Sequence, residues 1–143
     1  MGDASHLLRG FKAKGYRFSR IRQSILNLLY KNAKPLSAYD LGRLLIRMNV
    51  PANKTTVYRE LASLKEEKII RELRFSDGKR RYEITPKDHH HHIVCESCKK
   101  IEDVVLDKDL YQEEKMITQI KNFKVLNHSL EFYGICGGCL KNG

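Results

Sequence analysis

Two Cys-x-x-Cys pairs and a run of four histidines are the residues in this chain whose types and spacing can do chemistry. Cys95-Glu96-Ser97-Cys98 and Cys136-Gly137-Gly138-Cys139 are separated by 37 residues. A pair on a tight turn points two thiolates at one spot, and two such turns supply the four sulfurs that tetrahedral zinc accepts at about 2.3 Å. Glycines at 137 and 138 help backbone amides turn toward the thiolates. Two disulfides or a redox thiol pair are the competing chemistries. The opening MGDASHLLRGFKAKG holds no apolar stretch of secretory-signal length, so a cytosolic protein is expected, which disfavours disulfides. Duplication of the pair disfavours the redox reading. A structural zinc on Cys95, Cys98, Cys136 and Cys139 is therefore expected. Its binding free energy, on the order of 10 kcal/mol, can dominate the stability of so small a segment.

His89-His90-His91-His92 lead directly into Ile93-Val94-Cys95. On a strand, alternate side chains face opposite sides, so His90 and His92 share one face and His89 and His91 the other. One run can thus serve two sites. A solvated turn is the plainer alternative, and an affinity-tag remnant is disfavoured because the run is internal. Glu83 and Asp103 are acids on flanking strands, and oxygen ligands added to two imidazoles suit Fe(II), Mn(II) or Zn(II). His128 lies in the apolar stretch LNHSLEFYGIC and can join His89 and His91. Taken alone, it reads as a satisfied core histidine.

The elements that must position these groups divide the chain of 143 residues in two. Net charge is +10, but residues 1–86 hold 19 Lys/Arg against 8 Asp/Glu while residues 87–143 hold 8 against 9. The first part is thus a cationic module and the second holds all four cysteines and five of the six histidines. The chain therefore splits chemically near residue 87. No apolar run approaches a membrane span.

In the cationic part, Ile21, Ile25, Leu28 and Leu29 recur at helical spacing behind Ser19 as N-cap. After Pro35, Ser37 caps a second helix with Leu41, Leu44, Leu45 and Met48 on its apolar face. Asn53 opens a third, with Val57, Leu61 and Leu64 inward. Two alternating runs, 69–75 and 80–84, flank Asp77-Gly78, a strong hairpin signal. Three helices and a hairpin make a winged helix-turn-helix. The first turns of the third helix carry Lys54, Thr55, Thr56, Tyr58 and Arg59, suited to phosphates and base edges. Arg22 on the first helix and Lys79, Arg80 and Arg81 at the hairpin add charge for backbone contacts. Duplex DNA is the expected partner, with a salt slope of about −0.9 per neutralised phosphate. The plainer reading is a solvated charged face.

The second part reads strand, strand, helix, long strand. Asp107 is the expected cap of a helix running to Lys121, with Leu110, Met116, Ile117 and Ile120 apolar. The stretch Val125–Tyr133 is expected as a strand buried on both sides or paired across a subunit interface. The fold class is α+β, a winged helix-turn-helix followed by a small α/β domain.

At this point the chain resembles the ferric uptake regulator family, whose members sense iron, zinc, manganese, nickel or peroxide. The resemblance is carried, over nearly the whole chain, by TTVYRELASL, by RRYEI leading to HHHHIVCESC, by KKIEDV, by NHSLEFYGIC and by the closing CGGC. It implies a homodimeric repressor with a winged-helix DNA-binding domain over 1–83, a hinge at 84–88 and a metal-binding dimerisation domain over 89–143, structural zinc on the four cysteines, and a regulatory divalent metal on Glu83, His90, His92 and Asp103. A further site used by some members falls on His89, His91 and His128. Tyr58 and Arg59 match the family's DNA-contacting pair. Members with five-coordinate regulatory sites draw a histidine from the loop before the second helix, where this chain has Pro35; Glu72 is a candidate substitute. Asp103 stands where peroxide sensors tend to have Asp. At the further site Tyr111 falls near the expected glutamate, with Glu113 and Glu114 the closest carboxylates.

The mechanism implied is a metal-set hinge: empty, Glu83 and Asp103 repel each other; filled, the two halves are held for DNA. An enzyme finds no support in any Ser/His/Asp order, HExxH motif or phosphate-binding glycine loop. The remaining alternative is a zinc-ribbon module that binds nucleic acid or protein without sensing metal.

Overall fold

The computed structural model describes residues 5–15, 17–32, 34–85, 90–108 and 110–142. The chain forms two compact units, Met1–Lys87 and Asp88–Gly143. Of the expected hinge, 86–88 lie outside the described residues, as does His89.

The first unit is the expected winged helix. α1 (Ser5–Ala13) precedes the three foreseen helices, adding Leu8 and Phe11 to their core; it was not foreseen, although these two residues stand at the i, i+3 spacing of a helix face. In α2 (Arg20–Lys31), Ser19 caps the helix by accepting the Arg22 N–H at 3.2 Å. In α3 (Ala38–Arg47), Ser37 and Asp40 exchange side-chain and backbone bonds in a capping box. In α4 (Lys54–Glu66), Asn53 accepts the Thr56 N–H at 2.8 Å. α3 and α4 both end on a left-handed residue, Asn49 (φ 57°) and Lys68 (φ 62°). The next amides, Val50 and Ile69, reach back to the carbonyls of Leu45 and Leu64 at 3.0 Å, which reverses the chain sharply after each helix.

Ile25, Leu26, Leu41, Leu45, Leu61, Leu64 and Ile70 are fully buried between these helices and the sheet, each worth about 1.5–3 kcal/mol of hydrophobic stabilisation. Met48, read as part of the apolar face, is instead the C-cap of α3 and exposed. The sheet runs β1-β3-β2, all antiparallel, from β1 (Leu36–Ser37), β2 (Ile70–Arg74) and β3 (Arg80–Ile84). Gly78 turns the hairpin at φ 75°, a conformation that glycine adopts without strain. Its N–H bonds to the Phe75 carbonyl and the Lys79 N–H to Asp77 Oδ1.

In the second unit, β4 (His91–Cys95) lies between antiparallel β5 (Ile101–Val104) and parallel β6 (Glu131–Gly134). α5 covers Tyr111–Lys121 and α6 covers Gly137–Asn142. Two expectations are corrected. Asp107 does not cap α5, whose N-cap is Leu110 with no side-chain bond; Glu113 and Glu114 in the first turn complement the helix dipole instead. The long last strand shrinks to 131–134. The parallel register sets Glu131 opposite His92, so earlier residues run past the start of β4 and find no ladder partner among the described residues. Nor is the segment buried on both sides: Leu126 is 83% exposed. No helix among the described residues is long and apolar enough to cross a membrane.

Candidate metal centres and nucleic-acid face

The two Cys-x-x-Cys turns converge. Cys95 ends β4, and the turn after it closes through the Lys99 N–H to the Cys95 carbonyl and the Cys95 N–H to the Lys100 carbonyl, both 2.9 Å, with Lys99 left-handed. β6 runs parallel to β4 and delivers Cys136 beside it, where α6 begins. The ligand atoms of Cys95, Cys98, Cys136 and Cys139 all lie within 4.8 Å of one another, and all four are free thiols. The Cys95–Cys139 and Cys98–Cys136 sulfurs are 3.8 Å apart. A tetrahedron with bonds of about 2.3 Å has edges of about 3.8 Å, so the cluster fits zinc; a disulfide needs about 2.05 Å.

Electrostatics point the same way. Amides of Cys98 and Cys136 donate to Cys95 Sγ at 3.5 and 3.3 Å, and these bonds hold the Cys95 thiol down at about 6. At Cys139 a bond from Ser97 pulls downward, but the sulfurs of Cys136, Cys95 and Cys98 outweigh it and push the thiol up to about 11. Four thiolates held this close repel one another unless a cation sits among them.

On one face of β4, His92 is buried and His90 partly so, their rings edge to face at 4.9 Å. His92 pairs with Asp103 across β4–β5. Asp103 Oδ1 lies 3.4 Å from His92 Nε2 and 3.7 Å from His90 Nε2. Ligands about 2.05 Å from a tetrahedral zinc are about 3.35 Å apart, so these three groups fit one divalent ion. Asp103 stays half exposed, leaving a way in.

The opposite face carries the second constellation. His91 is buried and stacks on His128 at 5.2 Å. His128 Nδ1 meets a carboxylate oxygen of Glu114 from α5. Of the two nearby acids, Glu114 is therefore the one that reaches this site, one helical turn after Tyr111. His128 lies outside β6 and is neither a strand residue nor isolated in a core.

In the winged helix, Lys54, Thr55, Tyr58 and Arg59 are exposed on α4 and Thr56 is half-buried. Lys54 lies over the Tyr58 ring at 5.9 Å, and Arg59 bonds Thr56 Oγ1 at 3.4 Å. Lys79 and Arg80 are exposed at the wing. Arg81 is turned inward, paired with Asp77 at 2.7 Å and stacked over Phe75. Arg22 does not fit a DNA contact. Its guanidinium bonds Glu60 at 2.6 Å and Ser63 at 2.9 Å, so its charge is balanced within the domain and it braces α2 against α4. Glu72 is likewise committed, to Lys65 at 2.6 Å and Arg80 at 3.2 Å; the Lys65 bond chiefly holds its carboxyl below the usual range. Those ion pairs leave Glu72 ill suited to replace a histidine at Pro35.

Glu83 sits in β3 directly opposite Arg71 in β2, whose Nε and Nη2 reach Glu83 Oε1 at 2.6 and 2.5 Å. Arg71 was not foreseen. The signal was present, because a hairpin centred on Asp77 pairs these two positions.

A model of the ferric uptake regulator family matches residues 13–133. The chain is 32% identical over 142 residues to the ferric uptake regulation protein of Bordetella parapertussis, covering 99% of each. It is 32% identical over 139 residues to the peroxide operon regulator of Bacillus subtilis, covering 97% of this chain and 94% of the relative. The solved structure of the Helicobacter pylori ferric uptake regulator superposes with a TM-score of 0.73 at 26% identity, over 98% of this chain and 97% of that one. Sequence, fold and paired ligand clusters agree: the chain belongs to the ferric uptake regulator family.

Proposed function

We infer that the protein is a metal-responsive, DNA-binding transcriptional repressor with a divalent metal as corepressor, controlling metal-uptake or oxidative-stress genes. The observation that carries this reading is the meeting of His90, His92 and Asp103 at the spacing of ligands around a single ion, beside a separate all-sulfur cluster. A zinc-ribbon module needs only the second. Cys95, Cys98, Cys136 and Cys139 hold a structural zinc. Glu83, from the winged-helix half, joins His90, His92 and Asp103 around Fe(II), Zn(II) or Mn(II). Bound there, the cation supplies the positive charge that lets carboxylates and imidazoles from both halves share one coordination sphere. The halves then hold a fixed orientation, and Tyr58 and Arg59 read the major groove while Lys54, Thr55, Thr56, Lys79 and Arg80 position the backbone. His91, His128 and Glu114, with His89, form the further site.

A homodimer presents two such helices to one duplex. Exposed Met116, Ile117 and Ile120 on α5 and exposed Leu126 support that assembly, since apolar groups at that density on one small unit call for a cover. The reading belongs to the cytoplasm and to no catalysed reaction.

The test is duplex affinity, by fluorescence anisotropy, of zinc-loaded protein titrated anaerobically with Fe(II), Mn(II) or Zn(II), on a duplex selected from a random library. A coupling of about 1–3 kcal/mol predicts a gain of about 5–150-fold. No gain with any of the three leaves the zinc-ribbon module. Asp103 and the likeness to a peroxide operon regulator favour peroxide sensing as a second reading. It requires that peroxide add oxygen to His90 or His92 in iron-loaded protein, which mass spectrometry of the peptides reads.

A further inference from the structure

Every acid on the wing hairpin has a cation beside it, but one pair concerns a residue with another task. Arg71 and Glu83 occupy the same rung of β2–β3, so the backbone holds them together whatever else happens. Both N–H groups of Arg71 converge on one oxygen, Oε1, at 2.5 and 2.6 Å. Glu83 is largely shielded, its side chain 13% exposed, while Arg71 at 32% has room to swing outward. Before any metal arrives, the charge of Glu83 is thus already balanced. This changes the expectation that an empty site is opened by repulsion between Glu83 and Asp103.

We propose that Arg71 is a built-in competitor for the regulatory cation, so that the Arg71–Glu83 pair sets the metal concentration at which the protein responds. The proposal rests on the assignment of Glu83 to the regulatory site. A carboxylate held by a charge-assisted pair is a poorer ligand than a free one, because a divalent cation must displace the guanidinium or bind beside its positive charge. A guanidinium is suited to the task because it stays charged at every physiological pH. Its opposition is therefore constant across that range.

The experiment is a Co(II) titration of the full chain, with structural zinc in place, following the visible cobalt bands that depend on Glu83. Arg71→Met and Arg71→Gln, which remove the charge, are expected to bind Co(II) about tenfold tighter than wild type. Arg71→Lys, which keeps the charge, stays near wild type. In a Glu83→Ala background the Arg71→Met tightening disappears, as a double-mutant cycle requires. Circular dichroism and the thermal midpoint identify any variant that has not folded. Unchanged or weaker binding in both charge-removing variants, with Glu83→Ala weakened, overturns the competitor role alone. A Glu83→Ala titration identical to wild type overturns the assignment of Glu83 itself, and the proposal with it.

Discussion

His92 and Asp103 occupy one rung of the β4–β5 ladder, and His92 Nε2 lies 3.4 Å from Asp103 Oδ1. Register alone brings them together: slipping β5 by one residue would send the carboxylate to the other face. His90, two positions before His92, completes the group by strand alternation. Replacing His92 by Ala should weaken Co(II) binding at this site by at least about tenfold, as even supporting residues of a metal site typically do, while leaving the cysteine-bound zinc in place. Visible absorption for cobalt and elemental analysis for zinc separate the two. Equal loss of both metals would mean that the sites are not independent.

Cysteine substitution should act on the fold. Cys136→Ser removes one of four converging sulfurs while keeping the backbone amide that donates to Cys95 Sγ. The variant should lose its structural zinc to a chelator and with it the strand signal of residues 91–134, because binding on the order of 10 kcal/mol stabilises a unit with little buried core. Helical circular dichroism from the winged helix should persist. Retention of one zinc per chain after dialysis would show that three sulfurs suffice.

Leu61 on α4 is fully buried in the core of the winged helix. Leu61→Ala should cost about 2–5 kcal/mol, read by denaturant unfolding of the winged helix. A loss under 1 kcal/mol, against that scale, would mean that the surrounding side chains close the cavity.

Arg22 and Arg59 should part company. Arg22→Ala breaks a brace to Glu60 and Ser63 and should destabilise the domain by about 1–3 kcal/mol, while leaving the salt slope of DNA binding as it is. Arg59→Ala should leave stability near wild type and reduce the slope by about 0.9. Affinities across a salt series, with melts beside them, make the comparison. A reduced slope for Arg22→Ala would return that residue to the DNA face.

The Glu72 carboxyl is held below its ordinary value of 4.5, chiefly by Lys65. A depressed folded-state value contributes stability that is complete above 4.5 and is lost as pH falls through the lower folded value. Melting midpoints from pH 6 to pH 3 should therefore fall less steeply for Glu72→Gln than for wild type, with the curves converging at the acid end. Parallel curves would assign the acid limb to other groups, Asp77 with its bond from Arg81 first among them.

What could be read in advance was whatever local chemistry decides. Ser19, Ser37 and Asn53 cap the helices they were expected to cap because a side-chain oxygen meets an amide three residues on. Asp77-Gly78 sets the hairpin, and strand alternation assigns His90 and His92 to one face. What escaped depends on partners distant in sequence. Val125–Tyr133 has strand composition, yet among the described residues its ladder with β4 starts only at Glu131, opposite His92. Arg22 looks like a DNA contact until Glu60 is folded against it. Glu113 and Glu114 were both candidates at the further site, and only the fold of α5 against residue 128 selects Glu114.

The most direct test of the central claim is metal-dependent duplex binding by the Glu83→Ala/His90→Ala protein. Wild type should gain about 5–150-fold in affinity as divalent metal is added, and the double variant, with its structural zinc intact, should gain nothing. An undiminished metal response in the double variant would contradict the claim that ligands drawn from both halves of the chain transmit metal binding to DNA.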